Sequence, residues 1–150
     1  MQDFKLTLIQ SCRQLLNSKL ASLKAVMTDV TESANNETKS SVGDKHETSR
    51  AMMQLEQEKL GKQLQEAEQQ LLEFDKTDFH KVTKVIINGS LVETDKGWFL
   101  IGASLGKVIC EEKTVFIISP RSPIATVLMG AKEKDTLVFN GVSYTILSVN

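Results

Sequence analysis

Apolar residues recur every third or fourth position in the first half of the chain, and every second position or in short runs in the second half. Leu16, Leu20, Leu23, Met27 and Val30 follow a 4-3-4-3 spacing, and Ile9 and Cys12 extend it backward with one stutter. Leu60, Leu64, Ala67, Leu71 and Phe74 repeat the spacing, with Met53 one heptad earlier. Such spacing lays each set on one stripe of a helix. The positions between are mostly Lys, Glu, Gln, Ser and Thr, which suit a solvated back face. Two stripes separated by the polar tract around Ser40 predict an antiparallel helical hairpin over about residues 4 to 75, bending near residues 36 to 46. A helix of ~30 residues is about 45 Å long, so the hairpin is expected to project beyond a small globular domain. The alternative is a coiled coil that pairs between chains.

The pattern changes near residue 78. Beyond it lie six of the eight glycines and both prolines. "VTKVIIN" reads as a strand ending at Asn88-Gly89, and "SLVETDKGWFLIGA" as a hairpin turning at Asp95-Lys96-Gly97. "TVFIIS" is a continuous apolar run that fits a central strand. "TLVFNGVSYTILSV" carries Asn140-Gly141, which favours the positive φ angles of a type I′ turn. In "SPIATVLMG", Ser122 is a candidate N-cap, Pro123 takes the first helical position and Gly130 the end. Ile124, Val127 and Leu128 are expected on one face of that helix. The class is therefore α+β: residues 1–77 form a coiled-coil hairpin, and residues 78–150 a small antiparallel β domain with one short helix.

Composition narrows the function. The 41% hydrophobic and 25% charged residues indicate a globular chain. A net charge of -1 gives no general attraction to nucleic acid or anionic membrane. No apolar run approaches the ~20 residues of a membrane helix. "MQDFKLTLIQ" has neither the basic start nor the small-residue cleavage site of a secretory signal. Cys12 and Cys110 have no metal-like spacing, and reduced thiols in a cytoplasmic protein are expected. The Gly-rich phosphate loop, HExxH and GxSxG motifs are all missing.

The remaining chemistry sits in "SSVGDKHETSRAMM". Asp44 and Glu47 are three apart. One reading is a capping box, with Asp44 as N-cap and Glu47 at the third helical position. The other is a pair of exposed carboxylates. A hard ion such as Mg²⁺ takes oxygen ligands, and two carboxylates would complete a site whose other ligands belong to a partner. The two readings are compatible, since a cap also fixes where the carboxylates point. His46, between them, is a solvated histidine or a proton shuttle. His80 falls at the joint of the two halves.

A helical hairpin, a G-D-x-x-E tip and "ISPRSPIATVLMGAKEKDTLVF", in that order, resemble the bacterial Gre transcript-cleavage factors, GreA and GreB. The family's tip reads G-D-[L]-x-E-N-A-E-Y, against Gly43-Asp44-Lys45-His46-Glu47-Thr48-Ser49-Arg50-Ala51 here. Its C-terminal signature, S-P-[IL]-[GA]-x-x-L-[LI]-G-K-x-x-G-D, aligns with Ser122 through Asp135, with Lys134 in place of the second glycine. The resemblance covers nearly the whole chain. It implies a β domain similar to the FK506-binding proteins, docked on RNA polymerase at the rim of the secondary channel. The loop Ser119-Pro120-Arg121-Ser122-Pro123 takes the docking position. It also implies that Asp44 and Glu47 assist catalysis in trans by sharing an Mg²⁺ ion with the polymerase, so that backtracked RNA is hydrolysed. On that reading the chain is no enzyme, holds no cofactor tightly, meets RNA indirectly and is a monomer. Thr48-Ser49-Arg50-Ala51 departs from the family and motivates an alternative: a non-cleaving occupant of the channel, like the anti-Gre inhibitors, or a binding protein like the regulator of nucleoside diphosphate kinase. A prolyl isomerase is the third reading; 5% aromatics make its pocket hard to assemble.

Overall fold

The computed structural model describes the backbone of residues 1–39 and 43–150 and the side chains of residues 1–36 and 47–150. Two long helices lead the chain, α1 (Gln2–Lys39) and α2 (Gly43–Lys76). Six strands follow: β1 (Leu91–Thr94), β2 (Gly97–Ile101), β3 (Gly106–Cys110), β4 (Lys113–Ile118), β5 (Thr136–Phe139) and β6 (Val142–Val149). The short helix α3 (Pro123–Leu128) lies between β4 and β5. This is the expected α+β plan of helical hairpin, small sheet domain and one short helix. Of the residues 36 to 46 over which the bend is expected, 40–42 lie outside the described residues.

The chain forms two compact units, Gln14–Leu71 and Met1–Arg13 with Leu72–Asn150. In the first, the seams are where the spacing put them. Leu16, Leu60 and Ala67 are buried, and Leu20, Leu23, Met27, Val30, Met53, Leu64 and Leu71 are half-buried. Most of the positions between them are exposed. The pairing is antiparallel: Gln57 Nε2 donates to Thr31 Oγ1 at 3.4 Å, and a Cβ on Gly61 would lie 3.6 Å from Met27 Cε. Four residues forward on one helix is four residues back on the other.

In the second unit the strand order is β3-β4-β2-β1-β6-β5. All pairings are antiparallel except β2 with β4, so the sheet is mixed. After β2 the chain passes beyond the place of β4, forms the edge strand β3, and returns to fill the gap. The β1–β2 turn is set as expected, with Thr94 paired to Gly97. Asp95 then ties this turn to β6: its Oδ1 accepts from Thr145 N at 2.8 Å, and its own N donates to Thr145 O at 3.1 Å. That backbone bond leads in holding the Asp95 carboxyl below the usual range. Asn140 and Gly141 have φ of 50° and 75°, and the β5–β6 hairpin closes as a tight turn.

Three expectations change. "VTKVIIN" is not a strand; only Val85 forms a bridge, to Lys132. The segment is held locally instead: Ile86 N donates to Ala131 O, and Gly130 N to Ile86 O. Beyond it the chain must turn at Gly89, whose φ is 96°. Strand β3 was not anticipated. Its hairpin to β4 turns through Glu111 and Glu112, at φ 48° and 66°, without the glycine or asparagine that marks such turns. In α3 the buried residues are Ala125 and Leu128, with Ile124 half-buried; Val127 points to solvent.

Both faces of the sheet are covered. One carries Val92, Phe99 and Ile101, which pack with Ile86, Ala125, Leu128, Ala131 and Ile146 beneath α3. Alternation puts Leu91, Leu100, Val108, Val115 and Ile117 on the other face, all buried. There the ring of Phe4, from the first turn of α1, meets Trp98 edge to face with centroids 5.8 Å apart. Lys113 Nζ stands 4.5 Å from the Phe4 centroid and 5.3 Å from that of Trp98. Phe74, at the end of α2, packs on Phe79 at 4.8 Å. Helix α2 ends at Lys76, and the first turns of α1 and the last of α2 belong to the compact unit of the sheet.

Two glycines separate the two kinds of packing. Gly61→Ala adds a methyl group in ordinary contact with Met27 and removes a helix-interior glycine, so it should stabilise by about 0.5–1 kcal/mol. Gly89→Ala forces a Cβ to 2.7 Å from Asp78 O at positive φ and should cost more than about 2 kcal/mol. Denaturant unfolding of the two variants measures both.

Candidate functional site

The expected tip lies at the start of α2. Helix α2 runs from Gly43, which places Asp44 and Glu47 at its N-terminal end. Asp44 and Glu47, three apart on a helical backbone, belong to one helix face. A carboxylate in the first turn faces the positive end of the helix dipole. The side chains of Asp44 and His46 lie outside the described residues. Glu47 is exposed. Arg50 is also exposed and is three residues further along the same face. Its positive charge offsets part of the field of Glu47. Among the described residues, no group of three or more His, Cys, Asp or Glu side chains is placed to hold a metal ion. The donor chemistry at the tip is right for a hard divalent cation, but two carboxylates form only part of a coordination shell.

The expected docking loop is fully described. Ser122 is the N-cap of α3, with extended backbone at φ -68° and ψ 151°. Its Oγ accepts from Ala125 N at 3.3 Å and donates to Ser119 O at 2.7 Å. Ser119 Oγ accepts from Arg121 N at 3.2 Å. The loop is thus closed on itself by its two serines, while Pro120 and Pro123 fix two φ angles. Pro123 is exposed and Pro120 half-buried. The side chain of Arg121 is 82% exposed, although its Nη2 reaches Glu73 Oε1 at 3.1 Å. An ion pair this exposed contributes little to stability. Ser122 is therefore a structural residue first, and Arg121 is the group the loop presents.

The other singled-out residues have structural roles. His80 N donates to Asp78 Oδ1 at 3.0 Å, in a turn that leads out of α2. Cys12 and Cys110 are free, buried thiols. Burial, with a further contribution from Cys110, pushes the Cys12 pKa up to about 12. A thiol so protonated is a poor nucleophile and metal ligand.

Two left-handed residues follow α3. Gly130 has a φ of 82°, the conformation that ends the helix. Lys134 has a φ of 78°. It is held there because Lys134 N donates to Ile146 O and Ile146 N to Asp135 O, both at 2.8 Å. A lysine thus holds a turn geometry that ordinarily favours glycine. Lys134→Gly should relieve the strain and stabilise by about 0.5–1 kcal/mol after the unfolded-state entropy of glycine is subtracted. Thermal unfolding of the variant tests this.

Among solved structures, the chain is similar to that titled as the structure of the transcription factor Gfh1, at 16% identity. The match covers 91% of this chain and 92% of that chain, with a TM-score of 0.37. No family model and no curated protein matches the sequence.

Proposed function

We propose that the chain is a transcription factor of the Gre type. It binds RNA polymerase through the β domain, inserts the helical hairpin into the secondary channel, and stimulates hydrolysis of backtracked RNA in the cytoplasm. The observation that carries this reading is the position of Gly43-Asp44-x-x-Glu47: it opens the second helix of an antiparallel pair. A helix pair has no need of two carboxylates at that end for its own packing, because its seam is made by Leu, Met and Ala far from them.

In this reading the polymerase carries the catalysis. Asp44 and Glu47 would supply oxygen ligands to an Mg²⁺ ion held mainly by the polymerase. The ion would lower the pKa of a bound water and neutralise charge on the phosphodiester. The chain's own contribution is positional: a helix fixes the two carboxylates relative to each other, and the loop at Arg121 fixes the protein on its partner.

One observation favours the second reading, a factor that occupies the channel without stimulating cleavage. Arg50 shares the face of Glu47 and would weaken its hold on a cation.

A cleavage assay on a backtracked complex, with the polymerase of the same organism, separates the two. The wild-type protein should stimulate cleavage. Asp44→Asn and Glu47→Gln should bind the polymerase equally well and lose about 10²-fold or more of the stimulation, the scale of a lost transition-state charge contact. A wild-type protein that binds but never stimulates cleavage establishes the second reading. Equal stimulation by both variants makes the carboxylates structural.

Docking is tested at Arg121 alone, because replacing Ser122 removes a helix cap. Arg121→Ala should leave the unfolding midpoint within ~0.5 kcal/mol of wild type and weaken polymerase binding. Unchanged binding would place the docking surface elsewhere.

A further inference from the structure

Strand β3 lies at one edge of the sheet and has β4 as its one neighbour. Their hairpin closes on Cys110 paired with Lys113. The closing pair of a two-residue hairpin is hydrogen-bonded, and bonded pairs alternate along an antiparallel ladder. Cys110 and Val108 therefore spend their N–H and C=O groups on β4, while those of Lys107 and Ile109 point out of the sheet. Such an edge is a template for another strand. The side chains divide in the same way. Val108 and Cys110 are buried; Lys107 and Ile109 stand on the opposite face and are exposed, Ile109 by 69%. On that face Phe116, paired with Lys107 and 38% exposed, continues the apolar surface. The segment also carries opposite charges at its two ends: Lys107 near the start, and Glu111 and Glu112 just past the close, all exposed. Among the described residues none of these three has an ion-pair partner.

We propose that β3 pairs with β3 of a second copy of this chain, antiparallel about a dyad at Val108. Lys107 of each copy then faces Ile109 of the other, and each of these pairs exchanges both of its backbone bonds. Antiparallel pairing brings Lys107 of one copy to the two glutamates of the other, at the diagonal spacing of about 7–8 Å that a long side chain spans. Parallel pairing would align like charges. The neighbouring antiparallel registers fail as well. A dyad at Lys107 sets lysine against lysine, and a dyad at Ile109 needs Glu111 as an extended residue, which its φ of 48° excludes. An edge lysine ordinarily discourages pairing; here it admits only the arrangement in which glutamates answer it. The exposed Ile109 is covered by the stem of the other copy's lysine. The surface joined is one strand and its flanks, so the dimer belongs to the weak, reversible class. It uses neither the tip nor the docking loop.

Sedimentation equilibrium of the full chain, from tens of micromolar to about a millimolar, reads an association of this strength. The wild type should pass from one chain towards two. Over the same range amide hydrogen exchange should slow at Lys107 and Ile109 and not at Val108, whose N–H is already bonded to β4. Lys107→Glu sets acid against acid, and symmetry counts the change twice, so association should weaken by about tenfold or more. Glu111→Lys combined with Glu112→Lys sets base against base and should weaken it likewise. All three positions are exposed, so the fold is kept. An equimolar mixture of the two variants should associate again, because each then meets the opposite charge. A wild type that remains a single chain at about a millimolar overturns the proposal. So does association that neither variant weakens, or a mixture that associates no better than its components.

Discussion

A sheet with apolar side chains on both faces must be covered on both, and the rest of this structure depends on how that is done. One face is closed by α3 and the chain around Ile86 and Ala131. The β domain has no second helix for the other face. The cover comes from the opposite end of the sequence, through Phe4, Leu8 and Cys12, and from Phe74 in the last turn of α2 and Phe79 just beyond it. Each such side chain contributes about 1.5–3 kcal/mol on burial, so the roots of α1 and α2 are part of the core of the sheet. This explains why β4 is a continuous apolar run: Val115 and Ile117 face the helix roots while Phe116 and Ile118 face the α3 side. It also explains the burial of Lys5. The residue follows Phe4 in the first turn of α1, and docking that turn on the sheet takes the ammonium group out of water with it.

The two compact units are held together by different means. In the unit of the sheet, side chains are buried from several directions and the hydrogen-bonded ladder is continuous. In the Gln14–Leu71 unit there is one seam between two helices. Leu16, Leu60 and Ala67 are buried and most other seam residues only half-buried. Its stability therefore rests more on helix propensity and on the seam than on a core. Gly61 is costly in such a setting because nothing across the seam requires it, whereas Gly89 sits where a Cβ would strike the backbone of Asp78. A glycine has different meanings in the two units, although the sequence writes them alike.

That contrast marks how much was legible beforehand. The seams were readable residue by residue, since helical spacing and burial report the same geometry. Hairpins at Asp95-Lys96-Gly97 and Asn140-Gly141, and the cap and proline of α3, carry local turn chemistry and were readable for that reason. Strand β3 was missed because Glu111 and Glu112 hold left-handed conformations that glutamate does not advertise. "VTKVIIN" has the composition of a strand, yet only Val85 finds a bridging partner, in Lys132. That is a tertiary fact. Val127 fits the helical face by spacing, but a helix of six residues is too short for spacing to say which side is covered. The candidate carboxylates Asp44 and Glu47 were proposed from residue type and spacing, and both fall at the start of α2.

In the proposed function the loop from Ser119 to Pro123 is the docking element. Its backbone is fixed by two serine hydroxyls and two prolines, so most of the entropy that a binding loop would lose is already lost on folding. The side chain it presents is treated differently. Arg121 is held by Glu73 across a bond at 3.1 Å, yet it remains 82% exposed. In that setting water screens the pair, and the guanidinium gives up little on leaving Glu73 for another carboxylate. A rigid backbone with a weakly tethered charge thus combines low ordering cost with a group free to exchange partners. Had Arg121 been buried against Glu73, the same pair would be expensive to break and the loop would present no charge.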